Sequence, residues 1–91
     1  MITLTELEKI AAASHPTIDR VSLEGVLEAP FKPATPYEEI TTNEAGIAGL
    51  KAIDDACEPY GVQFVGQIYF KFKRGGMIWD PLECPPYKKK G

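Results

Sequence analysis

The residue types that most often act as nucleophiles and general bases are scarce in this chain of 91 residues. His15 is the only histidine, and it precedes Pro16, where a helix is expected to end. Nucleophilic catalysis needs a base beside the nucleophile. Cys84 stands between Glu83 and Pro85, and a neighbouring carboxylate disfavours the thiolate that a reactive cysteine requires. We therefore expect a protein that is not an enzyme and has no catalytic residues.

Metal ligands and paired carboxylates are also poorly arranged for chemistry. A structural zinc site needs four closely spaced cysteine or histidine ligands, whereas this chain has three in all, at positions 15, 57 and 84. Asp54 and Asp55 are adjacent on a predicted helix, so their side chains point about 100° apart. Lys51 precedes them by three and four residues, which predicts surface ion pairs. We expect neither a metal site nor a cofactor.

The chemical pattern that remains is a row of aromatic and basic residues in the last third of the chain. Tyr69, Lys71 and Lys73 alternate along a predicted strand, Arg74 follows, and Trp79 comes shortly afterwards. Aromatic rings interleaved with cations on a sheet can stack bases and hold phosphates. Alternatively, the lysines only keep an exposed sheet face soluble and guard its edge. The predicted binding residues are Tyr69, Lys71, Lys73, Arg74 and Trp79.

The net charge of −3 conceals an uneven distribution along the chain. Residues 1–60 hold four Lys/Arg against eleven Asp/Glu, whereas residues 61–91 hold six against two. Such asymmetry predicts two differently charged faces, which matters for partners rather than for the fold. The overall acidic balance is unlike that of a typical nucleic-acid-binding protein, so nucleic acid is the second choice of partner.

The first element that positions these residues is a helix near the N-terminus. Thr3 and Glu6 have capping-box spacing, in which a hydroxyl and a carboxylate each satisfy an unpaired backbone N–H. The pattern stops at residues 14–16, because the residue before a proline is pushed out of the helical region. Its apolar stripe consists of Leu4, Leu7, Ile10 and Ala11.

A second helix is predicted to begin at Thr41 or Thr42, with Thr41 and Glu44 as its capping box, and to end before Pro59 and Gly61. Its large apolar stripe consists of Ile47, Leu50, Ile53 and Cys57. Small residues form a neighbouring stripe, Ala45, Ala48, Gly49, Ala52 and Ala56. A glycine inside a helix costs roughly 1 kcal/mol against alanine, so we expect close approach by another element there.

Two segments alternate in the manner of strands. Residues 20–28 read as a half-buried strand with a bulge at Gly25, with a short helix as the alternative. Residues 62–73 read as the clearest strand of the chain. A hairpin turn at 74–76 then returns through 77–79. The predicted fold is α+β in the order α-β-α-β-β, with two helices on one face of a three-stranded sheet. The first strand either lies parallel to the second through a right-handed crossover or pairs antiparallel with the third.

Length and composition predict one domain, residues 1–91, with a proline-rich connection at 29–41 and an extended Pro/Lys tail at 81–91. Two cysteines are too few for a disulfide-built secreted module, so Cys57 and Cys84 are expected to be thiols in a reducing compartment. The N-terminus lacks the basic start of a signal peptide, and no apolar run approaches the roughly 18 residues of a membrane span. We expect a cytoplasmic protein with no membrane contact.

Strand length points to a partner. A twelve-residue strand extends about 40 Å, whereas the return strand spans only four or five residues. Part of the long strand must therefore be bent, covered by the connection, or paired with another chain. The leading hypothesis is a non-catalytic protein-binding module, a stoichiometric inhibitor or regulator of a larger assembly. We expect it to self-associate through a strand edge or through the small-residue helix face. The alternative is binding of a nucleotide or single-stranded nucleic acid through the basic and aromatic hairpin face.

Overall fold

The computed structural model describes residues 1–33, 36–39, 42–74, 77–78 and 82–83. Its α-helices are α1 (Leu4–Ala12) and α2 (Glu44–Cys57), and its long strands are β1 (Ile18–Glu28) and β2 (Gln63–Arg74). Two-residue strands β3 (Met77–Ile78) and β4 (Leu82–Glu83) also pair antiparallel with β2. Single turns of 3-10 helix cover Tyr37–Glu39 and Glu58–Tyr60. The α+β class, with two helices and an antiparallel pair of long strands, is confirmed.

The pairing of the long strands differs from both sequence-based alternatives. β1 runs antiparallel to β2 from Ile18↔Phe72 to Glu28↔Gln63, so the parallel crossover is wrong. The reason is that β1 ends at Glu28, and the connection and α2 together return the chain to the same end of the sheet, where β2 begins at Gln63. The predicted third strand falls partly outside the described residues, and the complete strand order stays a prediction.

The two helices begin at side chains that cap their first N–H groups. Thr3 accepts a hydrogen bond from the Glu6 N–H at 3.2 Å, as its spacing predicted. The predicted start of α2 was wrong, because the N-cap of that helix is Asn43. The Asn43 amide oxygen accepts from two N–H groups, those of Ala45 at 2.9 Å and Gly46 at 3.2 Å. Asparagine is at least as good an N-cap as threonine, which explains the later start.

The helices cover one face of the β1–β2 pair and form the core with it. Phe70 and Phe72 stack on this inward face with ring centroids 5.6 Å apart. Gly49 of α2 lies so close to Phe70 that a Cβ would stand 2.6 Å from the ring. The protein's own sheet therefore covers the small-residue stripe at Gly49. The largest fully buried side chains are Phe64, Phe70, Leu7, Leu50, Ile53, Ile68 and Cys57.

The irregularity in β1 lies elsewhere than predicted. The register breaks between Ile18 and Arg20, and no break occurs at Gly25. Gly25 instead lies directly opposite Gly66, where a Cβ on either residue would overlap backbone atoms of the other strand. The sequence pattern marks Gly25 as an unusual position. The strand pairing shows the reason, which is that glycine permits close approach of the two strands there.

The proline-rich connection is hydrogen-bonded to a buried carboxylate on α2. Tyr37 donates a hydrogen bond to Asp54 Oδ2 at 2.9 Å, and Lys51 Nζ lies 5.8 Å from the centre of the Tyr37 ring. Asp54 is 3% exposed, so the prediction that it is a surface residue was wrong. Burial, the hydrogen bond to Asp54 and the nearby negative charge together raise the pKa of Tyr37.

Candidate binding surface

The face of the β1–β2 pair that points away from the helices carries most of the predicted binding residues. Side chains alternate along each strand, so every second cross-strand pair belongs to this outward face. Four of its five pairs consist of exposed or half-buried residues, and the fifth contains the buried Gln63. The pairs, in order along the sheet, are Arg20–Lys71, Ser22–Tyr69, Glu24–Gln67, Val26–Val65 and Glu28–Gln63.

Three of the five predicted site residues lie on this outward face. Tyr69 and Lys71 are half-buried there, and Lys73 is exposed at the next outward position of the strand. Arg74 is the last residue of β2, and Trp79 lies outside the described residues. The structure therefore brings Tyr69, Lys71 and Lys73 together in the pattern that their spacing predicted.

Sequence reasoning missed two residues of the same surface, Arg20 and Ser22. Both are exposed, and the register places Arg20 directly opposite Lys71 and Ser22 directly opposite Tyr69. Like charges that face each other across antiparallel strands are destabilising. No single-strand pattern could reveal this pair, because it depends on which residue of β1 faces Lys71. The two cations and Lys73 form a cluster that we call the basic end of the outward face.

The opposite end of the outward face has a different character. Val26 is 55% exposed and lies directly opposite Val65, which is 38% exposed. Glu24 and Glu28, both exposed, flank Val26 on β1. The face therefore changes from cationic, through Ser22 and Tyr69, to apolar and acidic.

The residues considered for catalysis do not form a reactive group in the described part of the chain. His15 Nδ1 accepts a hydrogen bond from the Thr17 N–H at 3.2 Å and lies 2.8 Å from the Thr17 hydroxyl, within a local turn. Cys57 is buried in the core on α2, and Cys84 lies outside the described residues. Among the residues that the structure covers, no group of three His, Cys, Asp or Glu side chains could hold a metal ion.

The helices of the described ranges are all too short or too polar to cross a membrane. Comparison with protein-family models, with curated proteins and with solved structures found no match for this chain. The candidate surface is therefore defined by its own residues and their register.

Proposed function

We propose that this protein is a non-catalytic binding module, a regulator or inhibitor of a larger assembly, that receives an acidic segment of another protein on its outward sheet face. The observation that carries the proposal is the direct opposition of Arg20 and Lys71, with Lys73 beside them. An unliganded sheet loses stability by holding these cations together. An anionic partner reverses that effect, because each carboxylate forms charge-assisted hydrogen bonds with them.

Tyr69 supports a protein partner for a second reason. The ring lies next to the cationic pair, opposite Ser22, and is half-buried before any partner arrives. Tyrosine and arginine are enriched among the residues that dominate binding energy at protein interfaces, since both offer large contact area and hydrogen bonding. Arg20, Lys71 and Tyr69 therefore form the centre of the proposed contact, and Lys73 lies at its rim.

A nucleotide or single-stranded nucleic acid is the second candidate partner, and the position of Tyr69 is the observation that favours it. The tyrosine ring and the cations of Lys71 and Lys73 lie along one strand face. A base can stack on an aromatic ring while neighbouring phosphates bind cations. Affinity for such a ligand falls steeply with added salt, in proportion to the number of phosphate contacts.

The experiment that tests the proposal is a fluorescence-anisotropy titration with two probes, a capped oligoglutamate peptide and an oligothymidylate. Lys71→Ala/Lys73→Ala is expected to weaken binding by about tenfold or more, since two charge-assisted contacts are lost. Lys32→Ala/Lys51→Ala removes the same charge from the connection and α2 and is the matched control. Equal losses in the two double variants, or no saturable binding of either probe, would contradict the proposal.

The relative affinity of the probes separates the two partner classes. Tighter binding of oligoglutamate supports the protein partner, and tighter, strongly salt-dependent binding of oligothymidylate supports nucleic acid instead. We further propose a cytoplasmic location and a third strand through residues 77–79. These two statements are supported by the cysteine count and the hairpin pattern of the sequence.

A further inference from the structure

The free edge of β1 has hydrogen-bonding groups that point away from the sheet. Leu23 donates its backbone N–H to Glu8 Oε2 of α1 at 2.8 Å, so this N–H faces away from β2. In an antiparallel pair, residues whose N–H points away from the neighbouring strand alternate with residues whose N–H is hydrogen-bonded to it. The N–H and C=O groups of Val21 therefore also point to the free edge. Within the described ranges β1 pairs with β2 alone.

A cleft of about 310 Å³ runs along the same edge. One wall is the flank of α1, where Thr5, Glu8, Lys9 and Ala12 line it, and the other wall is β1 at residues 19–22. Val21 lines this cleft and is 3% exposed, so an added strand has to move the flank of α1 aside to reach the backbone groups of Val21. Glu8 occupies the position that a carbonyl of an added strand would take at Leu23, because its carboxylate oxygen accepts the outward N–H.

We infer that this edge binds an extended segment of a partner protein, which enters the cleft and adds to the sheet as an antiparallel strand next to β1. Main-chain hydrogen bonds to Val21 and Leu23 supply affinity in this mode, and alternate side chains supply specificity. The incoming carbonyl displaces Glu8 from the Leu23 N–H. Glu8 is half-buried, so its carboxylate can turn towards solvent when displaced.

Charges beside the edge define the chemistry of the segment. Arg20 and Glu24 lie on the outward face on either side of Ser22, and both are exposed. An antiparallel strand centred on Ser22 places one residue opposite Glu24 and, four positions later, another opposite Arg20. Complementary charges make the first basic and the second acidic. The two residues that flank the central one face the cleft and are small or apolar, so the pattern is basic–apolar–polar–apolar–acidic.

Residues 20–24 of this chain have the same pattern, so a capped synthetic peptide of residues 19–25 is a defined probe. The peptide is titrated against the intact protein by isothermal calorimetry. N-methylation of the peptide amides equivalent to Val21 and Leu23 is expected to weaken binding about tenfold or more, because those amides face β1. N-methylation of the amides equivalent to Ser22 and Glu24 is the matched control and leaves affinity unchanged. Equal effects of the two modifications would overturn strand addition.

Charge reversal tests the register independently of folding. Arg20→Glu places an acid opposite Lys71, so the variant sheet gains a favourable pair and stays folded. We expect this variant to bind the peptide several-fold more weakly, and a peptide with arginine in place of its glutamate to recover the loss. Failure of the reversed peptide to recover binding would contradict the proposed register.

Removal of the competing carboxylate gives the second test. Glu8→Ala leaves the Leu23 N–H available, and the peptide is expected to bind several-fold more tightly than to the natural protein. Glu38→Ala removes the same charge from an exposed position on the connection and is expected to leave affinity unchanged. An unaltered or weaker affinity in Glu8→Ala would show that the added strand does not use Leu23.

The protein alone is measured by sedimentation to exclude a second copy as the occupant. A monomer is expected, and a dimer that Arg20→Glu dissolves would assign the edge to self-association and overturn the partner proposal. Arg20 belongs to both surfaces, whereas Lys71 and Lys73 lie on β2, away from this edge. Lys71→Ala/Lys73→Ala therefore separates this outcome from that of the proposed function, because it is expected to leave binding of the peptide unchanged.

Discussion

Arg20 and Lys71 lie directly opposite each other on neighbouring antiparallel strands, and both point to the face away from α1 and α2. This pair departs from an arrangement optimised for stability alone, because like charges in facing positions repel. Binding sites commonly keep such arrangements at the expense of stability. The pair therefore links the register of the sheet to the proposed function.

Replacement of Lys71 by glutamate should separate stability from binding. Lys71→Glu turns a repulsive cross-strand pair into an attractive one, which we expect to raise the free energy of unfolding by about 0.5 kcal/mol. The same change should abolish binding of the oligoglutamate probe. Lys32→Glu is the matched control, with little effect on either quantity. Chemical denaturation and anisotropy measure the two properties, and a Lys71→Glu protein that is less stable yet still binds would refute the role of this pair.

Loss of the Tyr37 hydroxyl should loosen the connection between the proline-rich segment and α2. Tyr37→Phe removes the hydrogen bond to the buried Asp54 carboxylate, and we expect a loss of about 1 kcal/mol in the free energy of unfolding. Tyr60 is 48% exposed, and Tyr60→Phe is the control, expected to change stability by less than about 0.5 kcal/mol. Similar losses in both variants would mean that the Asp54 contact contributes nothing specific.

The contribution of Tyr37 to stability should disappear in alkali. Because its pKa is raised in the folded protein, first by burial and then by Asp54, the folded state keeps the phenol proton where the unfolded chain has released it. The contribution is therefore complete below about pH 10 and is lost as the pH rises above that value. Denaturation of the natural protein and Tyr37→Phe at neutral and alkaline pH measures the difference, which should shrink. A constant or growing difference would be inconsistent with a raised pKa.

A methyl group at the glycine pair of the sheet should be costly. A Cβ at Gly25 would overlap the Val65 carbonyl, and one at Gly66 would overlap the Glu24 carbonyl. We expect Gly25→Ala and Gly66→Ala each to lower the free energy of unfolding by about 2 kcal/mol or more, because the strands must separate. Among the described residues, no atom beyond its chain neighbours lies within 4 Å of a Cβ built on Gly61, so Gly61→Ala is the control and suffers only the strain of its φ of +66°. Equal losses at all three positions would mean that the strands are less closely paired.

Local patterns predicted the elements of this fold well. The Thr3 cap and the apolar spacing of α1 needed only neighbouring residues, and alternation over residues 62–73 identified β2 and its outward lysines. Such signals depend on interactions within one element, where the period of the side chains is known. The outward position of Tyr69, Lys71 and Lys73 was predicted in this way.

The remaining features depend on contacts between distant segments. The sequence around Asp54 is typical of a surface residue, because its hydrogen bond with Tyr37 joins residues seventeen positions apart. Arg20 resembles any other charged strand residue in the sequence, and only the register shows that it lies opposite Lys71. The direction of β1 relative to β2 depends on the path of the connection, which the sequence pattern does not give. Sequence periodicity carries no information on which residues of two strands face each other.

The most direct test of the outward face as a docking surface is backbone amide NMR during a titration with the oligoglutamate peptide. We predict saturable chemical-shift changes centred on Arg20, Ser22, Tyr69, Lys71 and Lys73, with the exposed residues of α2 unchanged. Changes confined to α2, or no saturable change on β1 and β2, would contradict the proposed docking surface.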